Sequence, residues 1–269
     1  MTRRRVLLAG AAGIATTAAA GYRYLRPDTQ EPIRAGAPAG EERLERRHSA
    51  ARGRTVDFYT AVPAGHGDGR GLPVCLVLHG ASKTAADFPA LNLGGFLTAA
   101  VRRGAPPFVL AGATGDRLSW RPSGTDDPQR MVHEEIPAWC AARGFDTSRL
   151  AAWGWSMGGY GSLLLAATFP GFVRAVAAFA PAGSGKLADV AELRKIPIGL
   201  WCGKQDGYYD DVRRLAGRIR PVAGGYADGR HNFGYWSRCI PEAFGFLAGE
   251  LSRHGSADIP GADIRPRPH

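Results

Sequence analysis

Residues Leu150–Pro170, LAAWGWSMGGYGSLLLAATFP, constrain the chain more than any other stretch. An apolar run, Leu150–Trp153, meets an Ala/Leu-rich run, Gly161–Phe169, through Gly154-Trp155-Ser156-Met157-Gly158. That spacing predicts a buried strand, a sharp turn and a helix closed by Pro170. The physical reason is steric. A serine at such a turn takes a strained backbone, and strand and helix pass so close that the positions two before and two after it must carry almost no side chain. Ser156 would then stand at the carboxyl end of its strand with Oγ exposed. The N–H groups of the first helical turn would point at the same place, ready to meet negative charge. A Gly-rich turn with an idle serine satisfies the five-residue string equally well, so the flanking strand and helix patterns carry the functional reading.

Other apolar runs surround this unit. Pro73–Leu78 (PVCLVL), Phe108–Ala113, Phe172–Phe179 and Ile196–Cys202 read as strands buried on both faces, and Val222–Tyr226 as a short last strand. Phe88–Arg103, Asp127–Arg143, Asp210–Ile219 and Pro241–Leu251 read as helices. Glu42–His48 and Arg54–Val62 form an antiparallel start around Gly53. Strands alternating with helices predict an α/β fold with a mostly parallel central sheet and helices on both faces. The gap Ala180–Lys195 has room for one helix and no cap domain, which predicts an open, shallow site.

The ends are different. Arg3-Arg4-Arg5 followed by apolar Val6–Ala20 reads as an export signal, and Thr2–Leu7 resembles the twin-arginine type. An uncleaved N-terminal anchor, and with it a membrane tether, is the alternative. Residues 1–21 are thus assigned to the signal or anchor, 22–41 to a linker, 42–252 to the catalytic domain and 253–269 to a disordered tail. The expected location is outside the cytoplasmic membrane, secreted or attached to its outer face. A net charge of +10 is spread along the chain without a basic stripe interleaved with aromatics, so no nucleic-acid partner is expected. Cys75, Cys140, Cys202 and Cys239 show no metal spacing, and neither a metal nor a cofactor is expected. Cys202 and Cys239, both near the carboxyl edge of the sheet, are the candidate pair for a disulfide in an exported protein.

Three positions follow strands in the order Ser156, Asp206, His231. This matches the order serine, aspartate, histidine of an α/β-hydrolase triad. Asp206 just past its strand could orient His231, whereas Asp210 and Asp211 fit the start of a helix. His79 follows the Pro73–Leu78 strand, but its HG pair suits loop structure better than a base. Met157 would give one backbone N–H to an oxyanion hole, and Ala81 or Ser82 the other. Trp120, Trp155, Tyr208 and Phe233 are the candidate lining of a substrate pocket.

Three segments together carry a resemblance: LHGAS at Leu78–Ser82, GWSMGGYGS at Gly154–Ser162 and GRHNFGYWSRCIPEAFGFL at Gly229–Leu247. With them, most of Arg43–Leu251 resembles the putative-esterase family of the α/β-hydrolases, which includes esterase D (S-formylglutathione hydrolase), feruloyl esterases and mycobacterial mycolyltransferases. The resemblance implies an α/β-hydrolase fold and Ser156, Asp206 and His231 as triad; it implies no particular substrate. Trp155, bulky just before the serine, departs from the pattern. The short inter-strand loops argue against a long-chain lipid groove, and the export signal against a cytosolic glutathione-thioester role. The expected function is a serine carboxylic-ester hydrolase working through an acyl-enzyme on a soluble or surface-borne ester. Two alternatives are an acyltransferase of the mycolyltransferase type and an inactive hydrolase fold serving as an envelope or binding protein.

Overall fold

The computed structural model describes residues 30–187 and 190–253. The expected signal or anchor at 1–21, and the tail beyond Arg253, lie outside the described residues. Pro73–Leu78 (β3) is buried at every position, and so is Val109–Ala113 (β4). Such runs are stable only when covered on both faces, and they form the middle of one eight-stranded sheet. The other strands are Glu42–Ser49 (β1), Arg54–Ala61 (β2), Asp146–Trp155 (β5), Val176–Phe179 (β6), Ile198–Gly203 (β7) and Ala223–Ala227 (β8). Their order is β1-β2-β4-β3-β5-β6-β7-β8. Only β2 runs antiparallel to its neighbours, β1 and β4; the rest pair in parallel. The α/β fold with a mostly parallel sheet is therefore present as expected.

The longer α-helices among the described residues are Leu93–Arg102 (α1), Ile136–Ala142 (α2, led in by helical turns at Pro128–Arg130 and Met131–Glu135), Met157–Thr168 (α3), Tyr209–Ile219 (α4) and Phe233–Ser252 (α5). Helix α5 crosses the middle of the sheet. Its Phe244 meets Trp153 of β5 with ring centroids 5.1 Å apart and Phe108 at 5.6 Å, both edge to face. Each such aromatic pair adds about 1 kcal/mol beyond the area it buries.

Several element boundaries differ from the sequence expectation. Helix α5 starts at Phe233 rather than Pro241, because Asn232 caps it by accepting from the Tyr235 N–H at 2.9 Å; Pro241 sits inside the helix. Among the described residues of 180–195 there are two single turns, Ser184–Lys186 and Glu192–Lys195, where one helix was expected. Pro181, Gly183 and Gly185 interrupt any longer run. The expected linker is docked where it is described: the Ile33 N–H donates to Ser237 Oγ at 3.0 Å, and Gly40 lies against the Val62–Ala64 backbone. No described helix is long and apolar enough to cross a membrane.

The β5–α3 junction is the tightest point of the fold. A Cβ on Gly158 would lie 1.8 Å from the Leu78 carbonyl oxygen, and one on Gly154 would lie 2.4 Å from the Gly158 oxygen. Both obstacles are backbone and cannot swing aside. Gly158→Ala is expected to cost more than about 3 kcal/mol or to prevent folding. Gly217→Ala, in open space on α4, is expected to stabilise by roughly 0.5–1 kcal/mol. Urea denaturation of both variants checks the pair.

Candidate active site

Ser156 joins β5 to α3 with φ 55° and ψ −121°. A serine held in this region costs about 1–3 kcal/mol and persists only where its surroundings determine it. Here the Ser156 N–H donates to the Phe179 carbonyl at 2.8 Å, and its own carbonyl accepts from the N–H of Tyr160 and of Ala182, both at 3.1 Å. Backbone on three sides thus pins the turn and leaves Oγ free to point outward.

The histidine and aspartate arrive on two loops held together by backbone. Past β7, the Lys204 N–H donates to the Ala227 carbonyl at 2.8 Å and the Gln205 N–H to the Gly229 carbonyl at 3.0 Å. The Gln205 side chain closes the clamp by accepting from the Gly229 N–H at 2.7 Å. Gly203 makes this approach possible, since a Cβ there would lie 2.2 Å from the Gly229 oxygen. Asp206 is carried inward by this clamp, and its side chain is fully buried. One of its oxygens accepts from the Tyr208 N–H at 2.8 Å; the other accepts from His231 Nδ1 at 2.8 Å. With Nδ1 carrying the proton, Nε2 is the acceptor, and it lies 2.7 Å from Ser156 Oγ. The imidazole stands edge-on to Trp236, with centroids 4.9 Å apart, and near Tyr208, also at 4.9 Å. Ser156, His231 and Asp206, separated by up to 75 positions, therefore form one hydrogen-bonded row. Such a row can raise the nucleophilicity of a hydroxyl at neutral pH.

Two clefts meet at Ser156. The larger, about 520 Å³, is lined by Met157, Tyr160, Tyr208 and several charged side chains. The smaller, about 420 Å³, is lined by Trp155, Phe233, Trp236 and His231. Ala81 borders both and Ser82 only the smaller. The Lys83 N–H donates to the Gly80 carbonyl at 3.1 Å, so Ala81 and Ser82 are the middle of a tight turn. The Met157 N–H, first of its helix, has no intrahelical acceptor.

Of the expected pocket residues, Trp155, Tyr208 and Phe233 line these clefts. Trp120 does not. It is fully buried, its Nε1 donates to the His79 carbonyl at 3.1 Å, and Gly115 and Gly161 lie against its ring. Both glycines leave a slot that an indole fills, which draws Trp120 inward as packing. The expected Cys202–Cys239 disulfide is absent: all four cysteines are free and buried. The Cys202 thiol points at the Gly203 carbonyl and the Cys239 thiol at the Tyr235 carbonyl, each at 3.7 Å. Burial pushes the Cys239 thiol up to about 11 and Cys140 to about 12, so neither supplies a thiolate near neutral pH. Among the described residues, no His, Cys, Asp and Glu cluster could hold a metal ion.

Two groups escaped the sequence reading. Gln205 is one, hidden because polar loop residues seldom announce a partner on another loop. Arg52 is the other. Its side chain is fully buried; it donates to the Thr114 carbonyl at 2.8 Å and pairs with Asp116 at 2.8 Å and with Asp126. Burial opposes its charge, but the two carboxylates outweigh that and hold its pKa above the ordinary value. The arginine anchors both ends of the loop that borders the larger cleft.

Residues 49–247 match the family model described as Putative esterase. The chain belongs to that family. Solved structures share the fold. A ferulic acid esterase superposes with a TM-score of 0.70 at 16% identity, covering 80% of this chain and 100% of its own. An S-formylglutathione hydrolase from Agrobacterium tumefaciens gives 0.61 at 19% identity, covering 81% and 98%. A ferulic acid esterase from Anaeromyces mucronatus gives 0.66 at 16% identity, covering 84% and 96%. No curated protein matches the chain in sequence. The fold is that of an α/β-hydrolase.

His79, set aside as a base, is structural. Its Nδ1–H donates to the Gly80 carbonyl at 2.9 Å, and Nε2 accepts from the Gly115 N–H at 2.9 Å. This neutral tautomer uses both nitrogens, and burial lowers the pKa from 6.5 to about 4. The unfolded chain takes up this proton near pH 6.5 and the folded protein only near 4, so the unfolded state holds more protons between them. Its contribution is fully present above about pH 6.5 and is lost as pH falls toward 4, to a limit on the order of 3 kcal/mol. Denaturation midpoints measured across that window are expected to fall for the wild type, and less steeply for His79→Gln.

Proposed function

We propose that this protein is a serine carboxylic-ester hydrolase acting through an acyl-enzyme. The observation that carries this reading is the row from Ser156 Oγ through His231 to buried Asp206, with the serine on a strained turn. In this reading Ser156 Oγ attacks the ester carbonyl carbon while His231 Nε2 takes its proton. Asp206 keeps the Nδ1–H tautomer and stabilises the imidazolium. The carbonyl electron pair becomes an oxyanion, met by the Met157 N–H and by the Ala81 or Ser82 N–H. When the pair returns, the bond to the alcohol oxygen breaks and His231 gives that oxygen its proton. Water then repeats the cycle on the acylated serine and releases the acid.

The open clefts favour water as acceptor over a dry transferase site, and the complete row favours activity over a binding role. Export directed by the Arg3-Arg4-Arg5 segment, with a membrane tether as its alternative, belongs to this proposal on the strength of the sequence alone. Replacing those arginines by lysine is expected to retain the protein in the cytoplasm, read by cell fractionation.

With short p-nitrophenyl esters, Ser156→Ala is expected to lower kcat by about 10⁵–10⁶-fold, and Asp206→Asn by about 10⁴-fold. A fluorophosphonate should label wild type at Ser156 and leave Ser156→Ala unlabelled. Wild type that neither turns over esters nor takes the label would refute the reading.

A further inference from the structure

The larger cleft has an electrostatic character that the hydrolase reading does not explain. Arg121 and Lys186 line it beside Ser156, with Arg117 at the border it shares with the smaller cleft, against a single carboxylate, Asp211; the smaller cleft's own cation, Lys83, is paired with Asp87. The carboxylate Asp211 is already paired with Arg214. Arg121 is held by Tyr160, donating to its hydroxyl and lying 5.2 Å from its ring centroid. A neutral phenol positions the guanidinium without cancelling its charge. Arg117 and Lys186 form no ion pair among the described residues. The nearby acids are committed elsewhere: Asp116 and Asp126 pair with Arg52 and Arg54.

The loop that carries Arg117 and Arg121 is built to present them. Asp116, Ser119 and Trp120 all have positive φ, at 50°, 54° and 53°. Three such residues without glycine are costly, and the loop is held by Trp120 in the core and by Arg52 beneath. With Trp120 turned inward, Arg117, Ser119 and Arg121 face the cleft.

The two clefts divide the ester. His231 borders the smaller cleft and is not among the residues lining the larger one. A proton passed from Nε2 to the leaving oxygen requires the alcohol part on that side. The larger cleft then receives the acyl part. Resting on the hydrolase reading, we propose that the natural substrate is an ester whose acyl part ends in an anionic group, such as a half-ester of a dicarboxylic acid. Arg117, Arg121 and Lys186 would meet the anion, steering substrates toward Ser156 and fixing their direction.

The test uses the full chain with two matched substrates, the p-nitrophenyl half-ester of adipic acid and its methyl-capped diester. They differ by one charge at the far end of the acyl chain. The charged ester is expected to show a kcat/KM about tenfold higher at low ionic strength. The ratio should fall toward one in about 0.5 M salt, where the Debye length shrinks to a few ångström. Arg117→Gln and Lys186→Gln, both at exposed positions, should each lower the ratio several-fold. Equal rates for the two esters, or a faster capped ester, would overturn the proposal while leaving the hydrolase reading intact. A charge preference seen only when the carboxylate is moved to the alcohol part would overturn the assignment of the clefts. If neither ester is turned over and a fluorophosphonate fails to label Ser156, both readings fall.

Discussion

The approach of α3 to β3 at Gly158 and Leu78 is the contact on which the rest depends. Backbone meets backbone there with no room for a methyl group. That closeness is possible because β5 lies beside β3 in register, Leu78 opposite Gly154, and because α3 leaves β5 at a sharp angle through Ser156. The strained serine stays in place because its amide and carbonyl are used by Phe179, Tyr160 and Ala182. A flexible turn would let Oγ sample many directions; this one offers a single direction, toward His231.

The rest of the candidate site is brought to that point by clamps rather than by strain. Gln205 and the Gly229 backbone bind the aspartate loop to the histidine loop, which sets Asp206 and His231 side by side. On the other side, Arg52 holds the loop of Asp116 and Asp126 from within the core. Both clamps are buried or half-buried, where a hydrogen bond lost without replacement costs more than one at the surface. They also sort the charges. Arg52 and Arg54 occupy the loop's acids, so among the described residues Asp116 and Asp126 are not turned to the cations at the cleft.

Much of this was legible in the chain. The continuous apolar runs named the parallel strands, since a strand covered on both faces has no polar face to show. Gly154, Ser156 and Gly158 named the turn, because sterics at that spacing admit little else. Asp206 and His231 were legible from their order after strands, and the esterase family from the segments around them. Less legible were the residues whose fate depends on distant neighbours. Trp120 sits in a loop that looked fit for lining a pocket, yet Gly115 and Gly161 open a slot for it. Cys202 and Cys239 share a region, but their thiols face the backbone carbonyls of Gly203 and Tyr235. Pro241 looked like a helix start, while Asn232 held the cap nine residues earlier.

The sequence by itself therefore determined the strands of the sheet and the turn at Ser156, because each follows from local sterics or from solvent exclusion along a short run, and it displayed Ser156, Asp206 and His231 in order after their strands. Only the tertiary structure decided the tautomer of His231, the neutral His79 and the buried Arg52. Those depend on which groups, far apart in the chain, share one small volume with little water. Electrostatics in such a volume is set by neighbours in space, and neighbours in space are what a linear sequence does not display.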